Sequence, residues 1–287
     1  MDRILSKSIL SSLKEDPWFG TKYSMNIYRG CQHACIYCDS RSSCYQLGEL
    51  SHIRVKENAL ELLNKELRSK RVRGTIGTGS MNDPYMPVER KERIIREALK
   101  TIAHHKFPVH IITKSDLVLR DMDVIKEISR IYAAVSITIT TADDKLSKII
   151  EPVSPASSFR FNAISTLSAN GIYTGITLMP LLPFINDTVK ELKLLLEKAI
   201  DAKPGYIMPA FALTLREGSR EYYYKMLDKH FPGMKERYIR EFGNSHNCVS
   251  PNAKALYETF YKITKAAGIP YRMRHYQPEE TEQLSLF

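Results

Sequence analysis

Apolar residues fall into two alternating patterns along the 287-residue chain. Short β-branched or glycine-bounded runs predict strands at Tyr23–Tyr28, Gly74–Gly79, Val109–Thr113, Ala133–Thr140, Ile172–Met179 and Tyr206–Met208. Between them, apolar positions three and four apart predict helices. One covers Val55–Arg68, where Ala59, Leu60, Leu62, Leu63 and Leu67 keep helical spacing. Others cover Glu89–His104, Leu119–Tyr132, Phe159–Asn170 with Gly171 as its C′ residue, and Val189–Ala202. Strands alternating with helices build a parallel sheet. Six such units are too few for a closed eight-fold barrel, so the expected class is α/β, a partial (β/α)6 TIM-type barrel. Functional residues of such a fold gather at the C-terminal ends of the strands.

The alternation stops near residue 215. Glu217–Lys229, Met234–Phe242 and Asn252–Ala267 read as helices without strands of their own. The expected organisation is a leader (1–22) packed on the core, a core (23–215), a helical C-terminal extension (216–275) and a flexible tail (276–287).

Composition adds bounds. A hydrophobic content of 43% with 26% charged residues describes an ordinary globular protein. No apolar run approaches the roughly 18–20 residues of a membrane span, and Met1–Lys7 lacks the apolar core of a signal peptide. The expectation is a cytoplasmic protein without a membrane partner. The 42 Lys and Arg against 32 Asp and Glu give a net charge of +10, which favours polyanions. The densest basic stretch holds Lys56, Lys65, Arg68, Lys70, Arg71 and Arg73. It is interleaved with Glu57, Glu61 and Glu66, so it reads equally well as a solvated helix face.

The sharpest chemical signal is Cys31, Cys35 and Cys38, spaced C-x3-C-x2-C with Tyr37 before the third cysteine. Three thiolates this close can hold three irons of a cubane 4Fe-4S cluster and leave the fourth open to a small molecule. A Cys3His zinc site with His33 is the competing reading, although structural zinc ligands usually come as two separated pairs. Five cysteines, an odd count, argue against a disulfide framework.

The cysteine loop resembles the signature of radical S-adenosylmethionine (SAM) enzymes. That resemblance implies an open iron that chelates the amino and carboxylate groups of SAM. It also implies reductive cleavage to methionine and a 5′-deoxyadenosyl radical, with flavodoxin or ferredoxin as reductant. Further motifs resemble the spore photoproduct lyase-like group: Tyr28-Arg29-Gly30-Cys31, Ser80-Met81-Asn82-Asp83-Pro84-Tyr85, Ile112-Thr113-Lys114, Ile150-Glu151-Pro152 and Met179-Pro180 with Leu182-Pro183. The resemblance covers roughly residues 23–215. It implies cofactor contacts from Tyr37, Gly79, Ser80, Asp83, Thr113, Lys114 and Ser136, with the second strand end at the SAM amino group and Lys114 at its carboxylate.

One position departs from that group. Where the repair lyase carries its hydrogen-donating cysteine, this chain has Ser80. A serine O–H bond is too strong to return a hydrogen atom readily to a carbon radical. Cys44, six residues after Cys38, is the substitute candidate; the plain reading of Cys44 and Cys248 is a small buried hydrophobe. Tyr28, Tyr37 and Tyr85 are candidate radical relays.

The chain ends Gln283-Leu284-Ser285-Leu286-Phe287. This resembles the pentapeptide by which bacterial polymerases and repair proteins bind the sliding clamp. Leu286 and Phe287 would fill an apolar pocket while Gln283 bonds at its rim. The resulting expectation is a radical SAM enzyme acting on DNA and recruited by the clamp. The alternatives are radical modification of RNA or a small molecule, and a non-catalytic clamp-associated iron–sulfur protein.

Overall fold

The computed structural model describes residues 1–14 and 16–278. The clamp-motif residues Gln283, Leu284, Ser285, Leu286 and Phe287 lie outside the described residues.

The strands are β1 (Asp2–Ile4), β2 (Leu10–Ser12), β3 (Tyr23–Met25), β4 (Tyr28–Arg29), β5 (Arg54–Lys56) and β6 (Ile76–Thr78). They continue with β7 (Val109–Thr113), β8 (Ala133–Thr138), β9 (Tyr173–Leu178), β10 (Tyr206–Pro209), β11 (Ala212–Thr214) and β12 (Asn247–Val249). The helices are α1 (Ala59–Ser69), α2 (Glu89–Glu92), α3 (Ile94–His104), α4 (Met122–Ser129) and α5 (Asp144–Ile150). They continue with α6 (Ser157–Ala169), α7 (Val189–Asp201), α8 (Ser219–His230), α9 (Met234–Phe242) and α10 (Ala253–Ala266).

The main sheet runs β10-β9-β8-β7-β6-β3-β2. Every pair from β3 to β10 is parallel, and β2 joins β3 antiparallel at the edge. The expected six-unit partial barrel is what the chain forms. Its interior strand β8, AAVSIT, is buried at every position, as strands covered on both faces are. Helices α1 and α7 close the outside through one apolar stripe each. Ala59, Leu63 and Leu67 form that of α1, and Leu192, Leu195, Leu196 and Ala199 that of α7. Asp143 caps α5, accepting from Lys145 N at 2.7 Å, and Thr188 caps α7, accepting from Glu191 N at 3.2 Å.

Local readings needed correction. Residues 1–22, expected as a leader, supply two strands, β1 and β2. The single strand expected over Tyr23–Tyr28 splits, β3 into the main sheet and β4 into a small sheet ordered β1-β5-β4. The helix expected from Val55 begins at Ala59, because residues 54–56 pair as β5. The helix expected over Glu89–His104 breaks at Arg93, whose φ is +54°. Residues 116–121 form a 3-10 turn before α4, and α5 had no counterpart in the sequence reading. The extension is not purely helical: its strand β12 pairs antiparallel with β11 at the end of the core, Cys248 opposite Leu213.

Candidate active site

The cysteine loop follows β4 and crosses the C-terminal edge of the sheet. A cavity of about 430 Å³ opens there, and Cys31, Cys35 and Cys38 all line it. Its opposite wall comes from consecutive strand ends: Gly79 to Asp83 after β6, Ile112 to Lys114 around the end of β7, Thr138 of β8, and Met179-Pro180 after β9. Gly79 is required by the backbone. Its φ is +91°, and a Cβ there would stand 2.2 Å from Ile112 O.

Asp83 organises this wall. Its carboxylate accepts from Thr113 Oγ1 at 2.7 Å, Lys114 N at 2.7 Å and Tyr85 N at 2.8 Å. His33 Nε2 stands 3.1 Å away at ion-pair distance. Burial opposes the charge, but His33 and these donors outweigh it and lower the Asp83 pKa to about 2. Behind the wall lies a buried charged group. The Tyr37 hydroxyl donates to Glu151, which pairs with Arg160, and both charged side chains are fully buried. Arg160 also donates from Nε to Pro155 O at 2.8 Å and from Nη1 to Thr138 O at 3.0 Å. The Lys114 ammonium lies 5.8 Å from the Tyr37 ring centroid. Burial would discharge it, but Cys35, Glu151 and Asp83 more than compensate and raise its pKa.

The rim is more open. Arg216 Nη1 pairs with Asp39 Oδ2 at 2.5 Å and donates to the Tyr45 hydroxyl at 2.9 Å, while that hydroxyl donates to Asp39 at 3.0 Å. Asp39 and Tyr45 line the cavity. Beside them the Arg41 guanidinium lies 3.7 Å over the Tyr222 ring.

The structure thus brings Cys31, Cys35, Cys38, Tyr37, Gly79, Ser80, Asp83, Thr113 and Lys114 to one cavity. Three expected site residues lie elsewhere. Ser136 is buried in the sheet and bridges His110 Nε2 at 2.7 Å and the Tyr206 hydroxyl at 2.6 Å; its neighbour on the same strand face, Thr138, lines the cavity instead. Cys44 is exposed, in a 3-10 turn outside the lining, and not the buried small hydrophobe of its plain reading. Tyr85 is fully buried outside the lining, its ring 5.9 Å from the Arg120 guanidinium. The sequence reading missed Arg160, Asp39, Tyr45 and Arg216. Asp39 was signalled by adjacency to Cys38, and Glu151 by its motif; Arg160 had no local signal.

Residues 25–196 match the radical SAM superfamily, and the chain belongs to it. An uncharacterized protein of Methanocaldococcus jannaschii is 40% identical over 171 residues, a match covering 58% of this chain and 63% of that relative, just under two thirds of its length. An uncharacterized protein of Mycobacterium tuberculosis is 28% identical over 243 residues, covering 82% of this chain and 71% of its own. Among solved structures, spore photoproduct lyase complexed with dinucleoside spore photoproduct has a TM-score of 0.67 at 14% identity, covering 92% of this chain and 78% of the lyase. A mutant of that lyase with bound AdoMet and the same dinucleoside has a TM-score of 0.68. At this identity the likeness is one of fold.

Members of the superfamily bind a 4Fe-4S cluster and SAM. The residues present fit both. Three thiols share the cavity and no fourth cysteine lines it, which suits a cluster with one open iron. Burial, with Asp83 adding, pushes the Cys31 thiol up to about 11, so metal binding there must displace a proton. The zinc reading fits less well. His33 faces Asp83, and among the described residues no three His, Cys, Asp or Glu side chains gather as donors to a single ion.

Proposed function

We propose that this chain is a radical SAM enzyme that removes a hydrogen atom from DNA, holding a 4Fe-4S cluster through Cys31, Cys35 and Cys38. The carrying observation is that these cysteines share one cavity with Asp83, Thr113 and Lys114. When bound, the cluster and SAM supply a 5′-deoxyadenosyl radical by one-electron cleavage. The protein's part is binding and orientation. Lys114 is a point cation suited to the SAM carboxylate. Asp83, with the Gly79–Ser80 turn, suits its amino group, and Thr113 fixes the Asp83 rotamer. Tyr37, tied to Glu151, holds the cysteine loop against the sheet.

DNA as substrate is supported by the +10 charge and by Arg41 and Arg216 beside the mouth. The tail Gln283–Phe287 would bring the enzyme to the sliding clamp. With two apolar anchors the affinity is expected to be roughly micromolar. A peptide of residues 276–287 should bind purified clamp at or below ~100 μM, and Phe287→Ala should weaken it at least about tenfold. No binding would remove the replication link.

One observation favours radical chemistry other than lyase-type repair. Ser80 lies at the cavity, 3.2 Å from the Ser24 hydroxyl, with no donor thiol in its place. Reconstituted protein incubated anaerobically with SAM, reductant and irradiated DNA tests both readings. Little complete repair of spore photoproduct is expected from the wild type, with improved hydrogen return in Ser80→Cys. Efficient wild-type repair would contradict the assignment of Ser80.

A further inference from the structure

Residues 150–156 lie against the outer side of the cysteine loop. Ile36 N donates to Ile150 O at 2.9 Å, and Val153 N donates to His33 O at 3.3 Å. Outside this segment is a second depression of about 290 Å³. His33 lines both this depression and the candidate active-site cavity. A single imidazole, seated between Cys31 and Cys35, therefore forms common wall between them. This depression offers a through-bond route to the cysteine loop. From the Val153 amide the path crosses one hydrogen bond to the His33 carbonyl, then runs two residues along the backbone to Cys35.

The outer surface of this depression is unusual in composition. Phe159 is 58% exposed and Val153 45% exposed, and Pro155 continues the apolar lining. Exposed apolar side chains grouped at a concavity mark a contact surface. Arg90 and Lys148 stand exposed at its edge, the Lys148 ammonium donating one hydrogen bond to Ser154 O at 2.6 Å, against one half-buried carboxylate, Asp116. Lys145 is exposed one turn before Lys148 on α5. The surface is thus apolar at its centre and cationic at its edge.

On the radical SAM reading above, each cleavage consumes one electron that must come from outside. We infer that this depression is the docking site of reduced flavodoxin, an acidic one-electron carrier whose flavin edge is exposed. Phe159 offers an aromatic face to the flavin, Val153 fills the contact, and Arg90 and Lys148 meet the carrier's carboxylates. One electron leaves the flavin and one enters the cluster; no bond forms between the proteins. Such carriers use small, transient interfaces, where charge sets the encounter rate.

The test is calorimetric titration of cluster-loaded protein with oxidised flavodoxin at low salt. Binding should weaken at least about tenfold when the ionic strength rises from ~0.01 M to ~0.15 M, because screening shortens from roughly 30 to 8 Å. Phe159→Glu and Arg90→Glu should each weaken it by about tenfold or more. Phe159 lies in the first turn of α6, where a carboxylate is tolerated. Both variants should keep dithionite-driven SAM cleavage within about twofold of the wild type, since neither residue lines the cavity. Unchanged flavodoxin affinity in both variants would overturn the inference, as would binding of an acidic 2Fe-2S ferredoxin with none of flavodoxin. Loss of dithionite-driven cleavage in the wild type, measured without any carrier, would instead sink the radical SAM reading.

Discussion

The inner wall and the rim of the cavity are built from the same chemistry and held very differently. Behind the inner wall, Glu151 and Arg160 pair at 0% exposure. At the rim, Arg216 and Asp39 pair at 39% and 34% exposure. Each pair joins a guanidinium, a carboxylate and a tyrosine hydroxyl. Burial alone separates them. Inside, an unpaired charge has nowhere to go, so the network is obligatory and fixes Tyr37 beside Cys35 and Cys38. Outside, water replaces a lost partner, so the rim is free to respond to whatever the cavity binds.

The largest effect expected is at the cysteines. Replacing Cys31, Cys35 or Cys38 by Ala should abolish iron binding, read as loss of the broad absorbance near ~400 nm of thiolate-ligated clusters. Next comes the inner pair. Glu151→Gln leaves Arg160 buried without its counter-charge and should cost about 3–5 kcal/mol in chemical denaturation. Arg216→Ala at the rim should cost about 0–1 kcal/mol. Equal losses would erase the distinction between the two regions. A smaller effect concerns acid. The Asp83 carboxyl is held at about 2, below its ordinary 3.8. Its contribution to stability is therefore complete above 3.8 and is lost as pH falls toward 2. Asp83→Asn should be less stable at neutral pH and should show a flatter decline over that window.

The periodic core of the fold was legible because buried parallel strands read as short continuous apolar runs and their helices as stripes. The cysteine loop was legible because its chemistry is contiguous in sequence. What escaped depends on distant pairing or on facing. β11 and β12 are three residues each with 32 residues between them (212–214 against 247–249), so no local pattern marks their bridge. The break at Arg93 uses a positive φ without a glycine. Ser136 and Thr138 occupy equivalent faces of β8, yet only the residue nearest the strand end reaches the cavity. Arg160 sits on a helix whose apolar stripe is weak, and its partner Glu151 lies in a separate turn.

The cysteine loop is expected to load a cluster with an open iron that reduces SAM. Anaerobic reconstitution with iron and sulfide, followed by metal analysis and chromatography after SAM and dithionite are added, tests it directly. Close to four irons per chain and release of 5′-deoxyadenosine are expected. Stoichiometric zinc without iron, or a full cluster with SAM left intact, would contradict this expectation.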